Sequence, residues 1–208
     1  MDGCWFALWH GNPKPARERR DSCRVVGRDE ERPFPTQLRK LRIEKLGARH
    51  AEAWIVGEIW GDPSQWLEPA CFDGVMNYRL AWTLLGFAGG SRLRRRLARP
   101  SRPYAPIDGL VCSQRLIDLH QSLPETLRRA QLNLLDSHDV PRALHVLGDD
   151  PGALSLALLL LFCLPGAPCL YYGTELGLNG GEEPACREAR PLQGEAIAAD
   201  LQIGRAHV

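Results

Sequence analysis

Glu58 closes the apolar run Trp54-Ile-Val-Gly-Glu58-Ile-Trp60, and Asp139 follows another in Leu132-Asn-Leu-Leu-Asp136-Ser-His138-Asp139-Val-Pro-Arg142. Buried strands deliver acids in this way. In a parallel α/β barrel both strand faces are covered, so the strands read as continuous apolar runs and the reacting groups collect at their carboxyl-terminal rim. Glu58 and Asp139 are therefore expected to share one pocket, where paired carboxyls offer proton transfer and charge stabilisation to a bound substrate.

The elements around them read as alternating strands and helices. Leu38 to Leu46 has apolar residues at near-helical spacing, ending at Gly47, and Trp54 to Trp60 follows as a strand. Phe72 to Tyr78 reads as a second strand, and helical stretches are expected around Leu80–Leu97 and Leu110–Leu123, with Pro100, Pro103 and Pro106 between them. A third strand starts at Leu132. The apolar run from Ala153 to Leu164 is short of the roughly 20 residues that span a bilayer. It is expected to be a buried helix, capped by Asp150 with Pro151 in the first turn and stopped by Pro165-Gly166. Ala167 to Gly173 then reads as a fourth strand. The expected fold is α/β, an incomplete (β/α)₈ TIM barrel comprising about strands 5–8, its C-terminal half.

Composition narrows the function classes. A net charge of +1 over 208 residues argues against a nucleic-acid binder, and neither a membrane span nor a basic-then-apolar leader is visible. Seven cysteines without a Cys-x-x-Cys suggest neither a zinc knuckle nor a disulfide framework, and point to a reducing, cytoplasmic setting. No metal-ligand cluster or cofactor motif stands out, which disfavours a metal-dependent barrel hydrolase. Arg92 to Arg99 reads as a solvated face rather than a phosphate site.

Four ordered stretches resemble the alpha-amylase family of glycoside hydrolases: Gly57-Glu58-Ile-Trp60, Phe72-Asp-Gly-Val-Met-Asn-Tyr78, Leu135-Asp-Ser-His138-Asp139-Val-Pro-Arg142 and Leu164 to Glu175. Phe72 to Tyr78 and Gly180-Gly-Glu-Glu-Pro184 are most similar to the cyclomaltodextrinase, neopullulanase and maltogenic amylase branch. The resemblance implies retaining cleavage of α-glucosidic bonds in starch- or cyclodextrin-type α-glucans. It puts the general acid/base at Glu58, the third carboxylate at Asp139 and a substrate hydroxyl contact at His138. Trp60, Tyr78 and Tyr172 are candidate rings for stacking on sugar faces, although aromatics at strand ends more often belong to the core. The implied partner is an α-glucan oligosaccharide or polysaccharide, with no cofactor; the family's calcium use is not readable in these residues.

Other parts of the pattern do not match. A barrel of about 250 residues allots about 31 to each strand-helix unit, so the strand carrying the nucleophile should end near residue 27. There Cys23-Arg-Val-Val26 lacks the family's Arg-x-Asp, and Asp29 has the spacing but not the arginine. Residues 1–35 read as an atypical stretch, out of frame with the family; 36–190 as a partial catalytic barrel; and 191–208 as a non-family tail ending in adapter-like Ile203-Gly-Arg-Ala-His-Val208. The expectation is a gene fragment with damaged ends, without turnover, carrying an unpaired strand edge on each side and exposed apolar strand faces, prone to aggregation. Its alternative role is that of a remnant or a carbohydrate-binding half-site.

Overall fold

The computed structural model describes residues 6–9, 53–67, 72–98 and 103–188. The expected helix at Leu38–Leu46 and the nucleophile candidate Asp29 lie outside them. Five strands are described: β1 (Phe6–Trp9), β2 (Ala53–Gly57), β3 (Gly74–Val75), β4 (Leu132–Asn133) and β5 (Ala167–Pro168). β2 pairs parallel with β3, β4 pairs parallel with β5, and a parallel bridge between Met76 and Leu132 joins the two pairs. Consecutive strands from β2 to β5 thus lie side by side with the same direction, as in a parallel sheet.

Two expectations about the edges are corrected. β1 pairs antiparallel with β2, Phe6 opposite Val56 and Trp9 opposite Ala53, so that side of β2 is not an open edge. A short apolar segment satisfies the backbone groups an edge strand would otherwise present. The strand faces are not bare either. Ile55 and Val75 pack with Trp66, Leu67 and Phe72, while Val56 packs with Met76, Leu132, Leu134 and Val140. Among the described residues the two most exposed large apolar side chains, Leu110 at 78% and Leu159 at 61%, lie instead on helices.

The ladders are shorter than the apolar runs. Asn77, expected to lie within a strand running to Tyr78, caps helix α1 (Tyr78–Gly89) by accepting the Leu80 N–H at 3.3 Å. Tyr78 is therefore the first helical residue. α1 stops at Gly89, and Gly90 takes a φ of +46°, so Gly90 to Leu97 forms two 3₁₀ turns rather than continuing the helix. Helix α2 (Gly109–Gln121) follows its Asp108 cap, and a short α3 (Glu125–Arg129), not foreseen, precedes β4. After β5 the chain turns at Tyr172-Gly173 into a 3₁₀ turn, where a longer strand was expected.

Beyond β4, α4 (Ala143–Val146) leads to α5 (Pro151–Cys163), which has the expected Asp150 cap and first-turn proline. Ala153, Leu154, Ala157, Leu158 and Leu161 of α5 pack against Leu80, Leu84 and Leu85 of α1. Successive spacings of one and three residues put those positions on one helical stripe. Leu154 has no exposed surface. Leu154→Ala is expected to cost about 2–5 kcal/mol through lost burial and a residual cavity, read as a lower urea midpoint. Among the described residues no helix is long and apolar enough to cross a membrane.

An amide ladder sets the height of three strand ends. Asn77 Nδ2 donates to Asn133 Oδ1 at 2.9 Å, and Asn133 Nδ2 donates to the Pro165 carbonyl at 3.0 Å. The Trp54 indole, on β2, donates to the Ala130 carbonyl at 3.0 Å. The register, with Gly57 beside Val75 and Met76 beside Leu132, brings the residues that follow β2, β3 and β4 to one end of the sheet.

Candidate active site

Glu58 is the first residue past β2 and is 7% exposed. The Tyr78 hydroxyl donates to its Oε1 at 3.4 Å and lies 3.1 Å from Ser137 Oγ. Ser137 Oγ in turn accepts the Asp139 backbone N–H at 3.3 Å. With Tyr78 donating toward Glu58, Ser137 must donate to Tyr78, so the donors all point toward the carboxylate. Such aligned chains polarise one another. The Glu58 carboxylate and the Asp139 backbone, eighty-one positions apart in sequence, are thus linked through two intervening hydroxyls.

Burial, and then the adjacent Glu58 carboxylate, hold the Tyr78 phenol well above its ordinary pKa, so it remains a neutral donor. The ring is stacked on Trp60 at 4.2 Å, with 7° between the planes. Tyr78 is only 2% exposed, which corrects its reading as a sugar platform. It begins a helix whose flank is packed, so its hydroxyl, not its face, reaches the site. Trp60 is half-buried and keeps surface at the rim.

His138 and Asp139 occupy the turn after β4. His138 Nε2 lies 3.4 Å from Asp139 Oδ2, and both side chains are about a quarter exposed, at 26% and 25%. Arg187, which the sequence did not single out, grips this turn from a 3₁₀ turn after β5. Its Nε donates to the His138 carbonyl at 2.9 Å, and its Nη2 pairs with Asp139 Oδ1 at 2.8 Å and with Glu183 Oε1 at 3.2 Å. Nearby carboxylates raise the Arg187 pKa against its own desolvation. The Cys186 thiol donates to the same His138 carbonyl at 3.3 Å. Contacts spanning forty-eight residues leave no local spacing signal, although Gly180 to Pro184 already marked this loop in the sequence.

Arg142 is the largest fully buried side chain among the described residues, 1% exposed. Its guanidinium stands 4.2 Å from the Tyr171 ring centre and 4.5 Å from that of Tyr172, and donates to the Tyr172 carbonyl. The Tyr172 hydroxyl donates to the carbonyls of Arg187 and Glu188, both at 2.9 Å. This stack joins the turns after β4 and β5. Among the described residues no group of three metal-ligating side chains is found.

The family model "Alpha amylase, catalytic domain" matches residues 15–203, and the chain belongs to that family. That family's catalytic domain implies a (β/α)₈ barrel, and the described residues form a partial, mixed helix and strand piece. Among curated relatives, a cyclomaltodextrinase of Geobacillus thermopakistaniensis is 37% identical over 145 residues, 70% of this chain and 22% of its own length. A maltogenic alpha-amylase of Bacillus acidopullulyticus is 35% identical over 151 residues, covering 72% and 23%. A debranching enzyme from Nostoc punctiforme superposes with a TM-score of 0.68 at 39% identity, over 74% of this chain and 32% of that one. The chain spans under a quarter of the length of these curated relatives.

Proposed function

We propose that the chain is part of a retaining glycoside hydrolase acting on starch- or cyclodextrin-type α-glucans, its described strands β2 to β5 corresponding to barrel strands 5–8. Glu58 is the general acid/base, protonating the departing glycosidic oxygen and later deprotonating water. Asp139 is the fixed negative charge that favours an oxocarbenium-like transition state, with His138 donating to a sugar hydroxyl. Trp60 offers an apolar ring to a sugar face. The observation that carries this reading is the hydrogen-bond chain from the Glu58 carboxylate through Tyr78 and Ser137 to the Asp139 backbone N–H, which links the strand end bearing Glu58 to the turn bearing Asp139.

A retaining path also needs a carboxylate nucleophile to form the covalent glycosyl intermediate. Glu58 and Asp139 have other roles in this reading, and Asp29 lacks the partner arginine. The 208-residue chain is thus read as a half-site that binds glucan without turning it over.

Two measurements test this. With maltotriose, amide shifts of Glu58, Trp60, His138 and Asp139 should move together, and Asp139→Asn should weaken binding by about tenfold, a loss of about 1.4 kcal/mol. A chromogenic maltoside should remain intact. Hydrolysis of the chromogenic maltoside by the unaltered chain, or an absence of maltotriose-induced shifts at these residues, would contradict this reading.

A further inference from the structure

Asp136 is a buried carboxyl that the proposed chemistry does not use, three residues before Asp139. Its Oδ2 accepts the Ala143 N–H at 2.8 Å, at the start of α4. The Thr174 hydroxyl, from the turn after β5, donates to Oδ1 at 2.9 Å and lies 3.0 Å from Oδ2. One carboxyl therefore ties the two ends of the turn carrying His138 and Asp139 to the next rim loop.

We propose that Asp136 is a positioning residue for His138 and Asp139, a buried staple between the turn after β4 and the loop after β5 whose grip depends on its protonation. The proposal rests on the reading of His138 and Asp139 given above. As a carboxylate, Asp136 accepts from both partners. As an acid it carries an O–H that needs an acceptor, and Thr174 must reverse from donor to acceptor to supply one. Thr174 is itself buried, so the reversal is felt in its loop.

The charged and titratable groups facing Asp136 are few. Arg142 approaches from the start of α4, with Tyr171 and Tyr172 against it, and Cys169 faces it from the segment after β5. Burial pushes Asp136 up to about 6, partly opposed by the Ala143 and Thr174 hydrogen bonds and by Arg142. The Cys169 thiol is pushed up by its own burial and then by Asp136, so it stays neutral over that range.

The test is a ¹H-¹⁵N titration of the 208-residue chain between pH 4.5 and 8. The amides of Ser137, Asp139, Ala143 and Thr174 should move together with one midpoint near 6, unchanged in His138→Gln and abolished in Asp136→Asn. Thr174→Val should keep the Ala143 transition and remove the response of the loop after β5. Absence of a shared transition, its persistence in Asp136→Asn, or its loss in His138→Gln would overturn the proposal. Should Asp136→Asn fail to fold, the ¹³C carboxyl titration of Asp136 in the unaltered chain decides, a midpoint at the ordinary 3.8 counting against it. Loss of maltotriose binding with the titration intact would overturn only the glucan reading.

Discussion

Gly74→Ala is expected to abolish cooperative folding, with a cost of at least about 4 kcal/mol, because nothing near it can give way. A Cβ at Gly74 would stand 1.9 Å from the Ala130 carbonyl oxygen and 2.7 Å from its carbon, both backbone atoms. Relief requires β3 to move away from residues 130–132. That movement breaks the Asn77 N–H bond to the Leu132 carbonyl at 2.8 Å, the Val75 N–H bond to Gln131 Oε1 at 3.3 Å and the bridge that joins the two strand pairs. It also withdraws Tyr78 from Glu58. Gly61, where an added methyl would meet nothing within 4 Å, is the control: Gly61→Ala should change stability by less than about 1 kcal/mol. Urea unfolding followed by circular dichroism separates the two variants.

Arg142→Ala should cost about 3–5 kcal/mol, the second largest effect, because removing a side chain of that size from a site with almost no exposure leaves a cavity, as with a truncated aromatic. Two ring contacts of 4.2 and 4.5 Å are lost as well, and desolvated cation–π contacts are worth up to about 2 kcal/mol. The Tyr172 carbonyl loses its donor. Arg142→Lys should recover only part of this, since an ammonium cannot lie flat over two rings or keep the guanidinium's donor geometry. Near-UV circular dichroism should report release of Tyr171 and Tyr172, and a urea midpoint shift worth under about 1 kcal/mol would show that Arg142 is not holding the loop.

Asp136 sets an acid-side dependence. Its folded pKa, about 6, exceeds the ordinary 3.8, so the fold favours the protonated form. The associated stability is fully present below the ordinary value and is lost as pH rises through about 6. Asp136→Asn should flatten this part of the stability profile.

Local signals made parts of this legible in the sequence. Asp150-Pro151 at one end and Pro165-Gly166 at the other bound the apolar run of α5, and those signals depend on neighbours a few residues away. The place of Glu58 at a strand end was legible because an apolar run leads into it, while its role rests on the resemblance of four ordered motifs and not on that run. The shortness of β3 and β5 was not, since ladder length is decided by the partner strand and the apolar run continues past the last pair. Asn77 illustrates the point: the same residue reads as strand end or helix cap until Leu80 closes onto its side chain. Tyr78 looked like a rim aromatic, but three-dimensional packing turned its face to Trp60. Arg187 and Ser137 join the site through contacts of forty-eight and fifty-nine residues' separation, a range at which spacing carries no information.

Glu58 and the Asp139 turn can act on one substrate only if they meet across Tyr78. Nuclear Overhauser spectra of the ¹³C-labelled chain test that directly, through the ring protons of Tyr78. Cross-peaks to both the Glu58 γ-protons and the Ser137 β-protons are the predicted result. A folded chain in which Tyr78 shows neither would contradict it.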